Sequence, residues 1–263
     1  LARELLLRLG LSVNWVLEPA ANCHRTGNHL GIQPHAFKDA LEFLADELAE
    51  VTGVRVEVPI NRRGAEIAKA AVKDRALVAG SVGPLGVPLE PLSALSYDEA
   101  RDAFKEQVRG LFDGGVDLFV LETFGLAKEL EQAIRAVKDV APDAPIIAQF
   151  TVNDEGTLLS GSTLESAVQE IAPYAVDAIG LNCSIGPRSM LEALEHLKTL
   201  TALPISVMPN AGVPQNVGGR YIYMTSPEYI AEYAKRFIQT GASIVGGCCG
   251  TNPSHIRAIR RAV

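Results

Sequence analysis

The 263-residue chain has no excess of basic residues, no long hydrophobic run and few cysteines, and each shortage removes a class of function. Its 24 Lys and Arg are outnumbered by 31 Asp and Glu, leaving a formal charge of −7. A phosphate backbone is gripped by a concentrated Lys/Arg face, so no nucleic-acid partner is expected. Apolar runs such as 76–82 and 242–249 fall far short of the roughly 20 residues that cross a bilayer, and the N-terminus does not read as a charged-then-apolar signal peptide. The expectation is a soluble, cytoplasmic protein with no membrane partner. The four cysteines would allow two disulfides, but with 48% hydrophobic residues the chain can bury a full core without staples, and two of the four, Cys248 and Cys249, are adjacent. Thiol or metal chemistry in a reducing compartment is the better reading. No G-x-G-x-x-G string opens a helix, which weakens a dinucleotide-binding fold. No low-complexity linker or internal repeat divides the chain, so residues 1–263 read as one domain.

What is present is a regular beat. Short apolar runs over 77–81, 118–121, 146–151, 178–181, 205–208 and 243–246 alternate with stretches of helical spacing over 97–112, 127–140, 164–174, 189–200, 227–240 and 253–262. The first 75 residues are less regular, but can supply strands near 13–17 and 54–58 with helices near 37–50 and 62–72. Eight βα units in about 250 residues predict an α/β fold, the (β/α)8 TIM barrel, with its first two units irregular.

Such a barrel carries its chemistry at the C-terminal ends of its strands. Here those ends read Gly80-Ser81-Val82-Gly83-Pro84, Leu121-Glu122-Thr123-Phe124, Leu181-Asn182-Cys183-Ser184, Met208-Pro209-Asn210-Ala211-Gly212 and Gly246-Gly247-Cys248-Cys249-Gly250-Thr251. Three thiolates from two strand ends suit a zinc ion whose fourth tetrahedral position stays open, the pattern of a catalytic site. Adjacent residues of a strand point to opposite faces. For Cys248 and Cys249 to share a metal the chain must already be turning, and Gly246, Gly247 and Gly250 allow it. Core packing for Cys183 and a redox switch for the vicinal pair are the competing readings.

The strings Gly180-Leu181-Asn182-Cys183-Ser184, Pro209-Asn210-Ala211-Gly212 and Gly247-Cys248-Cys249-Gly250-Thr251 resemble the zinc-dependent homocysteine S-methyltransferases. The run from Val78 to Ile259 looks most like the methyltransferase half of bacterial bifunctional homocysteine S-methyltransferase/methylenetetrahydrofolate reductases. The resemblance implies that Cys183, Cys248 and Cys249 ligate zinc and that the thiol of L-homocysteine takes the open position. A methyl donor, a folate or a sulfonium such as S-methylmethionine, would then yield L-methionine. It further implies that Glu122 pairs with the substrate ammonium and that Asn210 can fill the open zinc position; alternatively Asn210 closes a turn with Gly212. Asn182 and Ser184, which flank Cys183, count with the substrate-binding residues, and Ser81 to Pro84 are expected to line the pocket. His255 is expected to serve the start of the last helix. The oligomeric state is left open, a homo-oligomer included.

The resemblance is carried by residues 61–263; residues 1–60 depart from it. Neither the family's Asp-Gly-Ala-Met-Gly-Thr-like first loop, which helps receive the substrate carboxylate, nor its Thr-Asn-Thr-Phe-like second loop is present. In their place stands a polar run with Cys23, His24 and His29, whose spacing matches no standard zinc pattern. Codons compatible with 27–33, shifted by one base, encode a string similar to the family's second strand, a point the gene sequence decides. A zinc-binding but catalytically silent barrel is the other reading of such a chain.

Overall fold

The computed structural model describes residues 60–73, 75–217 and 220–263. In chain order the elements are α1 (Ile60–Val72), β1 (Ala79–Val82), α2 (Tyr97–Asp113), β2 (Leu118–Phe124), α3 (Ala127–Val140), β3 (Ile146–Phe150), α4 (Leu164–Ile171), β4 (Ala178–Asn182), α5 (Pro187–Leu200), β5 (Ile205–Met208), β6 (Gln215–Val217), β7 (Arg220–Ile222), α6 (Pro227–Thr240), β8 (Ile244–Val245) and α7 (Pro253–Ala262). Six strands form one sheet in the order β1-β2-β3-β4-β5-β8, and every neighbouring pair is parallel. Sequential parallel strands with helical crossovers are the winding of a βα barrel. Among the described residues β1 and β8 are the two ends of this sheet, so it is an open, half-barrel arc. The strands expected over 13–17 and 54–58, the helix over 37–50 and the Cys23, His24, His29 run lie outside the described residues.

Local chemistry sets the helix starts. Ser96 caps α2 in a reciprocal capping box with Glu99, and Asn252 does the same for α7 with His255. Pro187, Pro227 and Pro253 stand in the first turns of α5, α6 and α7, where a missing N–H costs nothing. Gly241 ends α6 at φ +117°, a left-handed cap that only glycine adopts cheaply. Asp117 joins three elements: it accepts the Val78 N–H at 2.7 Å and pairs with Lys69 of α1 at 2.8 Å. No helix among the described residues is long and apolar enough to cross a membrane.

Alternation along the strands divides the interior. Val82, Phe119, Leu121, Ile146, Ala148, Phe150, Ile179, Leu181, Ile205, Val207 and Val245 join the large cluster shared with the helices, while Ala79, Val120, Ile147, Ala178, Met208 and Ile244 make a second cluster on the opposite, concave face. Completely buried rings such as Phe104, Phe119, Phe124 and Phe150 anchor the first cluster, each contributing about 1.5–3 kcal/mol. Strand parity therefore turns Ser81, Glu122 and Asn182 to the concave face, alternating with Val82, Leu121 and Leu181. Gln149 is the register partner of Gly180, and Gly180 of Ser206. Gln149 reaches across that glycine to donate to Ser206 Oγ at 2.9 Å. A Cβ on Gly180 would stand 2.2 Å from the Ser206 carbonyl oxygen, so only glycine fits between them.

Several boundaries differ from the sequence reading for local reasons. The strand expected over 243–246 shrinks to Ile244–Val245, because the chain leaves the sheet at the Gly246-Gly247 pair. The helix over 164–174 stops at Ile171. The antiparallel hairpin β6–β7 was not expected at all: its strands are three residues each, too short for alternation to declare itself.

Candidate metal centre

The three cysteines meet at the C-terminal rim of the sheet. Cys183 follows β4 directly and adopts φ +61°, and Ser184 follows at φ +59°. Two successive non-glycine residues in the left-handed region cost on the order of 1–3 kcal/mol each, which the surroundings must over-determine. They do so through the backbone: the Cys183 N–H donates to Met208 O at 3.1 Å, Ile185 N–H to Cys183 O at 2.7 Å, and Asn210 N–H to Ile185 O at 3.1 Å. The β4 and β5 loops are thus stitched together. Cys248 and Cys249 lie beyond β8, in the turn the glycines permit. The Cys248 N–H donates to Pro209 O at 2.8 Å, its carbonyl accepts from Thr251 N at 3.1 Å and Thr251 Oγ1 at 2.6 Å, and Gly250 takes φ +79°.

The result is a compact triad. Cys183 Sγ and Cys249 Sγ are 3.6 Å apart, and all three sulfurs lie within 4.8 Å of one another. Zinc–sulfur bonds of about 2.3 Å in a tetrahedron put sulfurs about 3.8 Å apart, so spacing and donor set both fit a zinc ion. None of the three thiols is in a disulfide, and each is half-buried. Cys183 is pulled down by its hydrogen bond with Cys248, but the bond with Cys249, burial and the Cys249 charge outweigh it and push the thiol up to about 11. Hydrogen bonds with Cys183 and Cys249, then burial and the charges of the same two groups, raise Cys248 well above its usual range. Three thiols this close cannot all ionise unless a cation joins them, and a divalent metal inverts that balance.

The remaining predicted residues form the triad's surroundings. Asn182 is completely buried; its Oδ1 accepts the Thr123 N–H at 2.7 Å, while Nδ2 donates to Thr123 Oγ1 at 2.8 Å and stands 3.4 Å from Glu122 Oε2 and 3.8 Å from Cys248 Sγ. Glu122 also accepts from Ser81 Oγ. Ser81, Glu122, Asn182 and Cys248 therefore make one continuous polar line from the edge of the sheet to the sulfurs. The Ser184 hydroxyl is 2.7 Å from Thr151 Oγ1, which places it on the β3 side of Cys183. Asn210 is buried, and its Oδ1 accepts the Cys249 N–H at 3.1 Å, so its carboxamide holds the cysteine loop. Val82, expected in the pocket with Ser81, instead belongs to the helix-facing cluster: one residue along a strand reverses the side.

Two features escaped the sequence. Thr123, at φ +67°, is the other partner of Asn182. Tyr223, just after the hairpin, packs its ring against Gly250, next to Cys249, and burial followed by the Cys249 charge raises its phenol. Neither motif spacing nor periodicity marks a tyrosine that arrives from a hairpin. The Gly-rich string around Cys249 was the available signal, because a Cβ at Gly250 would fall 2.2 Å from the Tyr223 ring.

The chain is similar to known proteins in both sequence and fold. The sequence pattern of the family described as homocysteine S-methyltransferase matches residues 36–263. Methionine synthases of Mycobacterium leprae and Mycobacterium tuberculosis are 38% identical over 215 residues, 78% of this chain; the chain spans 18% of their length. The apo crystal structure of the homocysteine methyltransferase MmuM from Escherichia coli is similar with a TM-score of 0.63 and 29% identity, covering 80% of this chain and 76% of that one. Its metallated form gives 0.60 and 30%, covering 78% and 70%. The half-barrel sheet is thus shared with a homocysteine methyltransferase. The chain belongs to the homocysteine S-methyltransferase family of enzymes.

Proposed function

We propose that this chain transfers a methyl group to the sulfur of L-homocysteine, giving L-methionine, with zinc held by Cys183, Cys248 and Cys249. The observation that carries the reading is the convergence of these three sulfurs within 4.8 Å at the sheet's C-terminal rim. Zinc, when bound there, supplies a positive centre at which a substrate thiol loses its proton and remains nucleophilic at neutral pH, where a free thiol is mostly protonated.

The chain's own residues supply position and charge. Three cysteinates and one dication leave the centre net negative, which keeps the substrate sulfur electron-rich. Glu122, fixed by Ser81 and Asn182, offers a carboxylate to the substrate ammonium. Asn182 holds Cys248 in orientation, and Asn210 holds the backbone of Cys249. The methyl group moves to sulfur as the bond to the donor breaks, the electron pair of that bond leaves with the donor, and the thiol proton passes to solvent. Methyltetrahydrofolate is the first choice of donor in this reading, and a sulfonium such as S-methylmethionine the second. A triad of thiols outside any disulfide suits the reducing cytoplasm.

The test is a methyl-donor screen on zinc-loaded protein with homocysteine as acceptor, run beside zinc stoichiometry. Methionine formation with one zinc per chain supports the proposal. Zinc uptake with neither homocysteine binding nor product with any donor overturns it and leaves a catalytically silent barrel.

A further inference from the structure

His255 does more than start a helix. It is 5% exposed, and its two ring nitrogens serve different elements. Nδ1 accepts the Asn252 N–H at 3.2 Å and completes the capping box of α7. The proton therefore resides on Nε2, which donates across 3.0 Å to the carbonyl oxygen of Thr225. Capping asks only for an acceptor, the part that Glu or Gln usually plays at this helix position. The donor aimed at Thr225 lies outside that duty.

From Thr225 the bonding continues to the metal corner. The Thr225 N–H donates to Ala211 O at 3.2 Å, the Ala211 N–H to Cys249 O at 2.8 Å, and the Cys249 N–H to Asn210 Oδ1 at 3.1 Å. Residues 210 and 211 of the β5 loop thus hold both backbone groups of Cys249, and Thr225 holds that loop in turn. Two glycines let the segment before α6 lie this close. A Cβ at Gly212 would fall 2.5 Å from Thr225 Oγ1, and one at Gly250 would fall 2.2 Å from the Tyr223 ring. Met224, between them, is 68% exposed, so solvent covers the outer side of the segment and the grip comes from beneath.

We propose that His255 is a positioning residue of the metal corner: its Nε2–H grips Thr225 and, through Ala211, sets the backbone of Cys249. The inference rests on the zinc reading above. Outer partners that orient a metal ligand typically govern affinity by about 10–100-fold, and a residue acting through two peptide groups belongs at the lower end.

Co2+ loaded in place of zinc tests it, read by competition with a chelator at neutral pH and by the ligand-field bands, which report tetrahedral geometry. His255→Glu and His255→Gln have the same shape, and both can complete the capping box. Gln alone carries a donor for the Thr225 carbonyl. The expected result is that His255→Glu binds Co2+ about 10-fold more weakly, with altered bands, while His255→Gln stays close to the wild type in both. His255→Ala, which removes donor and acceptor together, should lose at least as much affinity as His255→Glu and supplies the comparison where a carboxylate at this position unfolds the chain. Wild-type affinity and bands in His255→Glu or in His255→Ala overturn the role of His255 and leave the zinc reading standing. Equal losses in His255→Glu and His255→Gln overturn it as well, because the donor would then not matter. A wild type that takes up no Co2+ overturns both.

Discussion

The Asn182 carboxamide links the carboxylate of the site to its sulfurs: Nδ2 stands 3.4 Å from Glu122 and 3.8 Å from Cys248, while Oδ1 takes the Thr123 backbone N–H. One completely buried side chain thus orients a charge, a candidate ligand and a left-handed backbone residue. Asn182→Leu keeps the volume and leaves the Thr123 N–H without its acceptor. It should cost about 1–3 kcal/mol in urea denaturation and lower zinc retention during dialysis. Asn182→Asp restores the acceptor but adds a negative charge beside Glu122. It should retain more stability than Asn182→Leu and bind homocysteine more weakly than the wild type.

Cys248→Ala removes one of three sulfurs and little apolar packing. The expected outcome is a protein with wild-type far-UV circular dichroism, zinc content near zero after dialysis and no methyl transfer. Retained methyl transfer would exclude Cys248 as a ligand.

The raised thiols give a pH dependence with a definite sign. Cys183 moves from its ordinary value near 9.0 to about 11 in the folded, metal-free protein, so between these values the folded state holds a proton that the unfolded state has released. Stability from this group is complete below about pH 9 and is lost as pH rises through about 11. Urea midpoints of the metal-free protein should fall over that window, and the fall should be smaller in Cys183→Ala. Zinc binding at neutral pH should release protons, with affinity rising as pH rises, measurable by calorimetry in buffers of different ionisation enthalpy.

Glu122→Gln keeps the contacts with Ser81 and Asn182 in outline and deletes the charge. If the carboxylate receives the substrate ammonium, the loss is about 10–100-fold in kcat/KM for homocysteine, the value of a hydrogen bond to a charged group, with zinc content unchanged. Steady-state kinetics beside metal analysis separates this from a metal defect.

Gly250→Ala introduces a Cβ at φ +79° and 2.2 Å from the Tyr223 ring. Backbone strain of about 1–3 kcal/mol adds to the displaced ring. The variant should fold with a lowered melting temperature and weakened metal binding.

The helices and strands from residue 97 onward are legible in the sequence because parallel strands buried on both faces read as short apolar runs and their helices carry one apolar stripe. The triad is legible for a different reason: two cysteines in a glycine-rich string and a third after Leu181-Asn182 make sense only where strands end together. What the sequence does not display is the direction of side chains that depend on tertiary contact. Val82 was placed in the pocket because the strand's exact exit was unknown, and the structure turns it toward the helices. Asn210 offered two roles, and its hydrogen bond to the Cys249 backbone is a contact between loops that only folding brings together. Tyr223 belongs to a segment with neither motif nor period.

The order of strands gives the cysteine triad a mechanical meaning. Cys183 leaves β4 and Cys249 leaves β8, 66 residues later, with β5 between them. The sheet holds β8 through only two register pairs, Ser206 with Ile244 and Val207 with Val245. A metal ion shared by these loops would act as a clasp across β5, fastening the last βα unit to a strand it does not touch. Methyl transfer and retention of the chain's C-terminal end would then depend on the same three sulfurs, and demetallation should first loosen the end of the sheet where β8 and α7 attach.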